Sequence, residues 1–598
     1  MDNVRIDDPI TFEVVKNALS SLTDEMAITV MRTAHSEIVR DAMDFSTALC
    51  DAEGHLVAQG LTLPLHLGAI PDAAGKLVEK FDGDIHPGDV FVVNDPEEGG
   101  MHLPDIFLFK PIFLGGRLIA YAACVAHHTD IGGRVPGGNA VDSREIFEEG
   151  LQIPILKLYD RGEPNRSLIE IIAKNVRVPQ IVLGDLGAQR AACHTCEQGY
   201  LKLIDRYGVE RLEQLIEMIL DYSERLLRAR LTEVPEGTYA FEDHIDDDGF
   251  GSGPISIRVA LTFSNGGVIA DFSGTSRQVG SALNSTVSVT KSIVYMALMC
   301  VTGGEIPSND GFYRPVSVLV PRGTILNPFP PAARAARGLT AFRVADCLFG
   351  ALHQALPGRS LAAGDGGATL LAIGGVRSDG RPHILVEGIC GGWGGRPGKD
   401  GVDGTSPVAS NITNVPVEYI ELHQPLKVEE FGFVTDTGGP GRWRGSLSVV
   451  RQLRFLGDRG VLQVRSDRRR FLPYGLEGGK PGSPSSNILN PGPLEEVLPT
   501  TFTRSISYGD VIRHITAGGG GYGDPRQRAY ELVAQDVIDE KLSPDYALRE
   551  YGVQVDVEEL GAGTLGLPSH GGAPRDEFGP YDRSPSPPNP PAPRDGVA

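Results

Sequence analysis

Two short runs of this sequence concentrate the residue types that acid–base and metal chemistry require. The first is Asn94-Asp95-Pro96-Glu97-Glu98-Gly99-Gly100-Met101-His102-Leu103-Pro104-Asp105. Its glycine pair permits a sharp turn that brings His102 close to a neighbour. The second is His127-His128-Thr129-Asp130-Ile131-Gly132-Gly133. In a strand, His127 and Thr129 share one face and His128 and Asp130 the other. In a tight turn the first and fourth residues approach, so His127 and Asp130 could share an ion. Imidazole and carboxylate together suit a divalent metal such as Zn, Mn or Fe. Three protein ligands with one open position make a catalytic arrangement. Such an ion would polarise a carbonyl or lower the pKa of a bound water. On this reading His102 and Asp130 are ligands, and His127, His128 and Asp95 are the acid–base candidates, His127 doubling as a ligand. The competing reading is a hydrogen-bonded structural loop made from the same side chains.

The elements that must position these runs are β-strands. Residues 90–93 (Val-Phe-Val-Val) and 118–122 (Leu-Ile-Ala-Tyr-Ala) are short apolar runs, and each ends at one of the polar clusters. Strand ends let side chains converge while the backbone stays rigid. Upstream, Phe12, Val15, Leu19, Leu22, Met26, Val30 and Met31 recur at helical spacing, predicting a helix over 9–39 opened by Pro9. Residues 41–57 read as strand, turn, strand. The stretch 168–231 reads as helical with a long run over 197–231, and 241–272 as a meander of short strands. Residues 285–301 predict a buried helix, 369–516 short strands with glycine turns, and 525–551 short helices.

Composition narrows the class. Seventy-seven acidic against 55 basic residues leave a net charge of −22, and the only basic run is Arg468-Arg469-Arg470, which argues against nucleic acid as a partner. Seven cysteines without framework spacing suit a reducing compartment. The sequence opens MDNVRIDDP without a signal-peptide pattern, and no apolar run reaches the roughly 18 residues of a membrane span. The expectation is a soluble cytoplasmic protein with no membrane partner. The fold class expected is α+β, mixed sheets and helices in two or three intimate domains. The expected regions are 1–235 with the site, a β-rich 236–525, C-terminal helices over 526–560, and a disordered Pro/Gly/Ser-rich tail over 561–598.

Other motifs are weaker. Cys193-His194-Thr195-Cys196 lacks a second pair and has helical flanks. The glycine runs near 391–398 and 518–523 are not phosphate loops, because Gly398-Lys399 is followed by Asp400 and Gly479-Lys480 by Pro481. They read as turns, or as surfaces that another subunit's backbone approaches, and leave the chain without a nucleotide site of its own. His66 reads as a packed or supporting histidine.

From about residue 9 to 551 the sequence resembles the hydantoinase B/oxoprolinase family. The landmarks are Asp44-Phe45-Ser46, Pro64-Leu65-His66-Leu67-Gly68, Asn94-Asp95-Pro96 with Gly100-Met101-His102-Leu103-Pro104-Asp105, and Ala126-His127-His128-Thr129-Asp130. Asp271-Phe272-Ser273-Gly274-Thr275-Ser276, Gly391-Gly392-Trp393-Gly394, Gly438-Gly439-Pro440-Gly441 and Gly518 through Pro525 continue the match. The resemblance implies a subunit of an ATP-dependent enzyme that opens cyclic amides (hydantoins, 5-oxoproline or lactams), with ATP bound by a hydantoinase A-like partner in a hetero-oligomer. A ketone carboxylase subunit and a non-catalytic scaffold are the rival expectations. It also implies a divalent-metal set of Asp44, His102, His127 and Asp130, with Gln152 standing where a further ligand histidine would be expected. Gly338-Leu339-Thr340-Ala341-Phe342-Arg343 and Gly364-Asp365-Gly366-Gly367 depart from the family pattern and are expected to reshape the substrate pocket.

Overall fold

The computed structural model describes residues 8–556, except 61–62, 304–305, 368 and 378. The tail expected to be disordered from residue 561 lies outside the described residues. The first helix, α1 (Pro9–Thr33), buries the predicted stripe from Phe12 to Val30, and Asp8 caps it by accepting from the Thr11 amide. It stops short of residue 39. Asp185 captures the amides of His35 and Ser36 at 2.7 and 3.1 Å, and a separate turn, α2 (Glu37–Arg40), follows.

Strands β1 (Phe45–Asp51), β2 (Leu56–Gln59), β3 (Val90–Val93), β4 (Asp105–Leu114), β5 (Arg117–His127), β6 (Leu156–Asp160) and β7 (Glu163–Pro164) form a sheet in the order β2-β1-β5-β4-β3-β6-β7. Every neighbouring pair is antiparallel. The helices that follow in the chain are α3 (Ala69–Lys80), α4 (Arg166–Asn175), α5 (Pro179–Tyr207), α6 (Val209–Thr232), α7 (Val287–Thr302), α8 (Asp310–Tyr313) and α9 (Arg337–Ala355). Alternation along β5 divides the interior. Ala120, Ala122, Cys124 and Ala126 pack with α1, α5 and α6, while Tyr121, Ala123 and Val125 pack with α3, α7 and α9. With both faces covered, the central strands read as continuous apolar runs, which is why they were visible in the sequence. The long helical stretch breaks at Gly208, whose φ of 79° an L-residue rarely adopts.

The remaining strands make three smaller sheets. The predicted meander is β8 (Gly237–Ile245), β9 (Ile255–Ser264) and β10 (Gly267–Asp271), with β11 (Val316–Leu319) added parallel to β10. Strands β12 (Thr369–Val376), β13 (Pro382–Ile389), β14 (Leu426–Val434), β15 (Ser448–Phe455), β16 (Arg459–Arg465), β17 (Ser486–Leu489), β18 (Glu496–Val497), β19 (Thr501–Ser507) and β20 (Val511–Ile515) form the sheets β13-β12-β16-β19 and β14-β15-β20-β17-β18. The architecture is α+β. One core joins β1 and β3–β5 to α7, α9 and β8–β10, so the layers before and after residue 235 share an interior.

Two features bind the C-terminal half together. The glycine runs are where the chain's own loops touch backbone to backbone. A Cβ on Gly445 would sit 1.9 Å from the Gly519 carbonyl oxygen, and one on Gly518 would sit 2.0 Å from that of Thr437. Behind them lies a buried ion network. Arg343 on α9 reaches Asp243 at 3.1 Å, Asp346 at 3.0 Å and Asp467 at 2.5 Å, and Arg468 pairs with Asp243 and Asp346. Burial pushes the Asp346 carboxyl up to about 8 and that of Asp467 up to about 7, against the pull of Arg343.

Candidate functional site

Antiparallel register brings the site together. Asp105 opens β4 directly opposite His127, which closes β5, and Phe45 opens β1 opposite Ala126. Asp44, Asp105 and His127 therefore stand at one end of three adjacent strands. The His127 amide donates to the Asp44 carbonyl at 3.0 Å, and the His128 amide to that of Pro104 at 2.8 Å. His102 arrives by the turn before β4, in which the Asp105 amide donates to the His102 carbonyl at 3.0 Å. Buried Asn94 anchors that loop. Its side chain donates to the carbonyls of Leu103 and Leu151 and accepts from the Ile153 amide.

Among the described residues, His102, Asp105 and His127 form a buried group whose nearest donor atoms all lie within 4.8 Å of one another. His102 Nδ1 is 2.8 Å from Asp105 Oδ2, and the two imidazoles are 5.0 Å apart between centroids. His102 Nε2, both ring nitrogens of His127 and Asp105 Oδ1 have no hydrogen-bond partner. Buried polar atoms normally find partners, so four orphans within one buried group of three side chains require an explanation. Two neutral imidazoles and one carboxylate fit a borderline divalent ion in chemistry and in number. Burial lowers the His102 pKa to about 4 and that of His127 well below its usual value, so both rings are free bases at neutral pH. Burial opposes the charge on Asp105, but Arg337 and His102 outweigh it and hold the carboxyl well below the usual range.

Cations close the site. Arg337, at the start of α9, makes an ion pair with Asp105 Oδ2. Arg465, at the end of β16, donates to the Ala335 carbonyl at 2.7 Å, and burial together with Arg337 lowers its pKa to about 9. Burial and the Asp105 charge raise Asp44 to about 7. Asp44, His127, Arg337 and Arg465 line a cavity of about 40 Å³, walled also by Gly338 and Phe342. By this measure a water needs about 10–15 Å³, so the cavity admits a few waters or a small group. Phe342 also borders a second small cavity formed by Gly364, Asp365 and Gly366, so both departures from the family pattern lie at cavity walls. His66 is buried nearby, with Nδ1 2.8 Å from the Ser46 hydroxyl.

Other residues singled out by the sequence lie apart from the group. Asp130 does not join it: the carboxylate accepts from the Gly137 amide and from the backbone and guanidinium of Arg177. The position expected for Asp130 is held by Asp105. His128 points to the opposite face, with Nε2 3.0 Å from Gln189 Oε1, because adjacent strand residues alternate. Asp95 caps a short helical turn by accepting from the Glu97 amide at 2.8 Å. Asp44 shares the cavity without being part of the three-residue group, and Gln152 is half-buried on the adjoining segment. Cys193 and Cys196 pack in the core of α5.

Glu149 fixes the segment leading into α9. Its Oε1 accepts from the amides of Arg334 and Ala335, both at 2.7 Å. Burial raises its pKa from 4.5 to about 8. A raised folded-state pKa means the folded chain holds a proton that the unfolded chain releases. This contribution is therefore complete below about pH 4.5 and is lost as pH rises through about 8. Glu149→Gln, which keeps the acceptor and removes the titration, should flatten the fall in stability between pH 5 and 8. Denaturant unfolding across that range checks it; a slope unchanged from the parent would show that Glu149 is not the titrating group.

The hydantoinase B/oxoprolinase family model matches residues 8–525. The chain belongs to this family. It is 32% identical over 570 residues to the caprolactamase subunit beta of Pseudomonas jessenii, covering 92% of this chain and 96% of that one. The crystal structure of the ATP-dependent caprolactamase from the same organism superposes with a TM-score of 0.88 at 31% identity, covering 93% of this chain and 98% of that chain. A nucleotide-free acetone carboxylase structure superposes with a TM-score of 0.86 at 20% identity, covering 92% of this chain and 80% of that chain, which is a likeness of fold. Among the described residues no helix is long and apolar enough to cross a membrane.

Proposed function

We propose that this chain is the metal-bearing subunit of an ATP-dependent cyclic amide hydrolase, working with a hydantoinase A-like partner that binds ATP. The observation that carries the reading is the buried group of His102, Asp105 and His127, with its orphaned ring nitrogens, beside a cavity flanked by two arginines. The likeness to a caprolactamase subunit over nearly the full length of both chains favours hydrolysis over carboxylation. A Zn, Mn or Fe ion on His102, Asp105 and His127 would supply Lewis acidity for a carbonyl or a bound water.

The chain's own residues define the rest. The partner activates the amide oxygen by phosphorylation, and the cavity, which admits a few waters, supplies the water that attacks the activated carbon. Arg337 and Arg465 place positive charge where oxygen gains negative charge. Asp44, with a pKa of about 7, is suited to take a proton from the attacking water and pass one to the ring nitrogen as the C–N bond breaks, which leaves an acyl phosphate that a second water cleaves to carboxylate and phosphate. Gly338 and Phe342 form part of the cavity wall.

The test is to co-express the chain with its hydantoinase A-like partner and to follow ADP release and ring opening with hydantoins, 5-oxoproline and lactams. Ketones with bicarbonate form the contrasting arm. Ring opening that requires ATP and both chains is the expected result. ATP turnover that responds only to ketone with bicarbonate would replace the reading with a carboxylase. A metal-free protein indifferent to replacement of His102 and Asp105 would reduce the chain to a scaffold.

A further inference from the structure

The two arginines of the site come from distant parts of the chain, and one buried carboxyl group holds the anchors of both. We propose that Glu149 is a positioning residue for ring opening: one of its carboxyl oxygens sets where Arg337 and Arg465 stand relative to His102, Asp105 and His127. The proposal deepens the reading of this site as that of a cyclic amide hydrolase and rests on it.

On one side, the segment around Glu149 is tied to the loops that carry the two histidines. The Arg134 amide donates to the Glu148 carbonyl at 2.8 Å, and the Leu151 amide to that of Ile131 at 3.0 Å. Both bonds join it to the loop that follows His127. Asn94, from the loop that carries His102, donates to the Leu151 carbonyl and accepts from the Ile153 amide. A Cβ on Gly133 would sit 2.5 Å from the Glu149 carbonyl, so the two backbones are in contact there.

On the other side, the same segment reaches the arginines. The Ile146 amide donates to the Pro331 carbonyl at 2.9 Å. Glu149 Oε1 then accepts from the amides of Arg334 and Ala335, both at 2.7 Å. Helix α9 has no side-chain cap of its own at Ala336, so this carboxyl group from another loop fixes its entry. Arg337 opens α9 just beyond and pairs with Asp105. The Ala335 carbonyl accepts from Arg465 Nη1 at 2.7 Å, while Arg465 Nε has no partner. A shift of the segment 334–337 therefore carries both guanidinium groups with it. The partners of Glu149 Oε1 are amides, so the position of the oxygen matters more than its charge.

Two conservative variants of the full-length chain, each assembled with the hydantoinase A-like partner, separate position from charge. Glu149→Asp keeps the charge and withdraws the oxygen by one C–C bond, about 1.5 Å. Glu149→Gln keeps the reach and removes the charge. Misplacement by about 1 Å can cost about a hundredfold in rate, so Glu149→Asp should lower kcat by about that factor with the KM for ATP unchanged, and Glu149→Gln should stay within about threefold of the parent. Adding Arg337→Lys to Glu149→Asp should cost little beyond the larger single effect, because both act on one group. Amide hydrogen exchange of the chain alone should quicken over 334–337 in Glu149→Asp and stay parent-like in Glu149→Gln. The opposite order of the two variants, multiplicative losses in the double variant, or unchanged exchange in Glu149→Asp would overturn the proposal. If Glu149→Asp does not fold, Glu149→Gln decides: a large loss of kcat in that folded variant would overturn it as well. A parent assembly that opens no ring would instead sink the reading of the site, and the exchange measurement would still decide whether Glu149 holds the segment that places the arginines.

Discussion

His102→Ala is expected to strip the purified chain of its divalent metal and abolish ring opening by the assembled enzyme. The imidazole is wholly buried, and its Nε2 has no hydrogen-bond partner among the described residues. Removing even a residue that merely supports a ligand costs about 10–100-fold in metal affinity or activity, so loss of a ligand should exceed that range. Elemental analysis of the dialysed protein, together with the ring-opening rate, checks the outcome. His128→Ala is the matched control. It removes a neighbouring buried histidine that faces Gln189 and should leave the metal in place. Parent-like metal content and turnover in the His102 variant would remove the group from the chemistry altogether.

The second large effect is on stability. Arg343 is fully buried and touches three carboxyl groups, so Arg343→Met removes one of the two guanidinium groups that hold this buried cluster together. Breaking a buried pair by removing one partner typically costs about 3–5 kcal/mol. Asp467 suffers most, because among the described residues Arg343 is its only ion-pair partner, whereas Arg468 still serves Asp243 and Asp346. Adding Asp467→Leu to Arg343→Met should therefore recover part of the loss, as expected for directly coupled residues. Urea unfolding of the parent, both single variants and the double variant measures this. Strictly additive effects would show that the pair does not interact.

The sequence made some of this visible and hid the rest for physical reasons. The stripe of α1, the apolar run of β3 and the meander of β8–β10 carry their periodicity locally, so they could be read directly. Helix α9 could not. It is buried on nearly all sides, from Leu339 to Leu352, and so has no polar face to reveal a helical period. The two His-x-x-Asp runs were indistinguishable by spacing. The first turns back at Leu103-Pro104, so that His102 and Asp105 meet; the second leaves β5 at His127 and bends at Thr129, and Arg177 claims Asp130. Proline after His102 was the available signal. Arg337 and Arg465 left none, because they reach the site from more than 200 and 300 residues downstream. The glycine runs were read as turns or as surfaces for another subunit, and the structure shows this chain's own loops filling that space.

The scattered origin of the site also imposes an order on its assembly. His102, Asp105 and His127 leave the ribosome together, but Arg337 and Arg465 are made much later. At roughly 5–20 residues per second, Arg465 follows His127 by roughly 20–70 s. During that interval Asp105 has no guanidinium to neutralise it, and its carboxylate is open to any cation the nascent chain meets. Metal loading and chain synthesis would thus compete in time, and a chain that acquired its ion early would recruit the two arginines around an occupied centre.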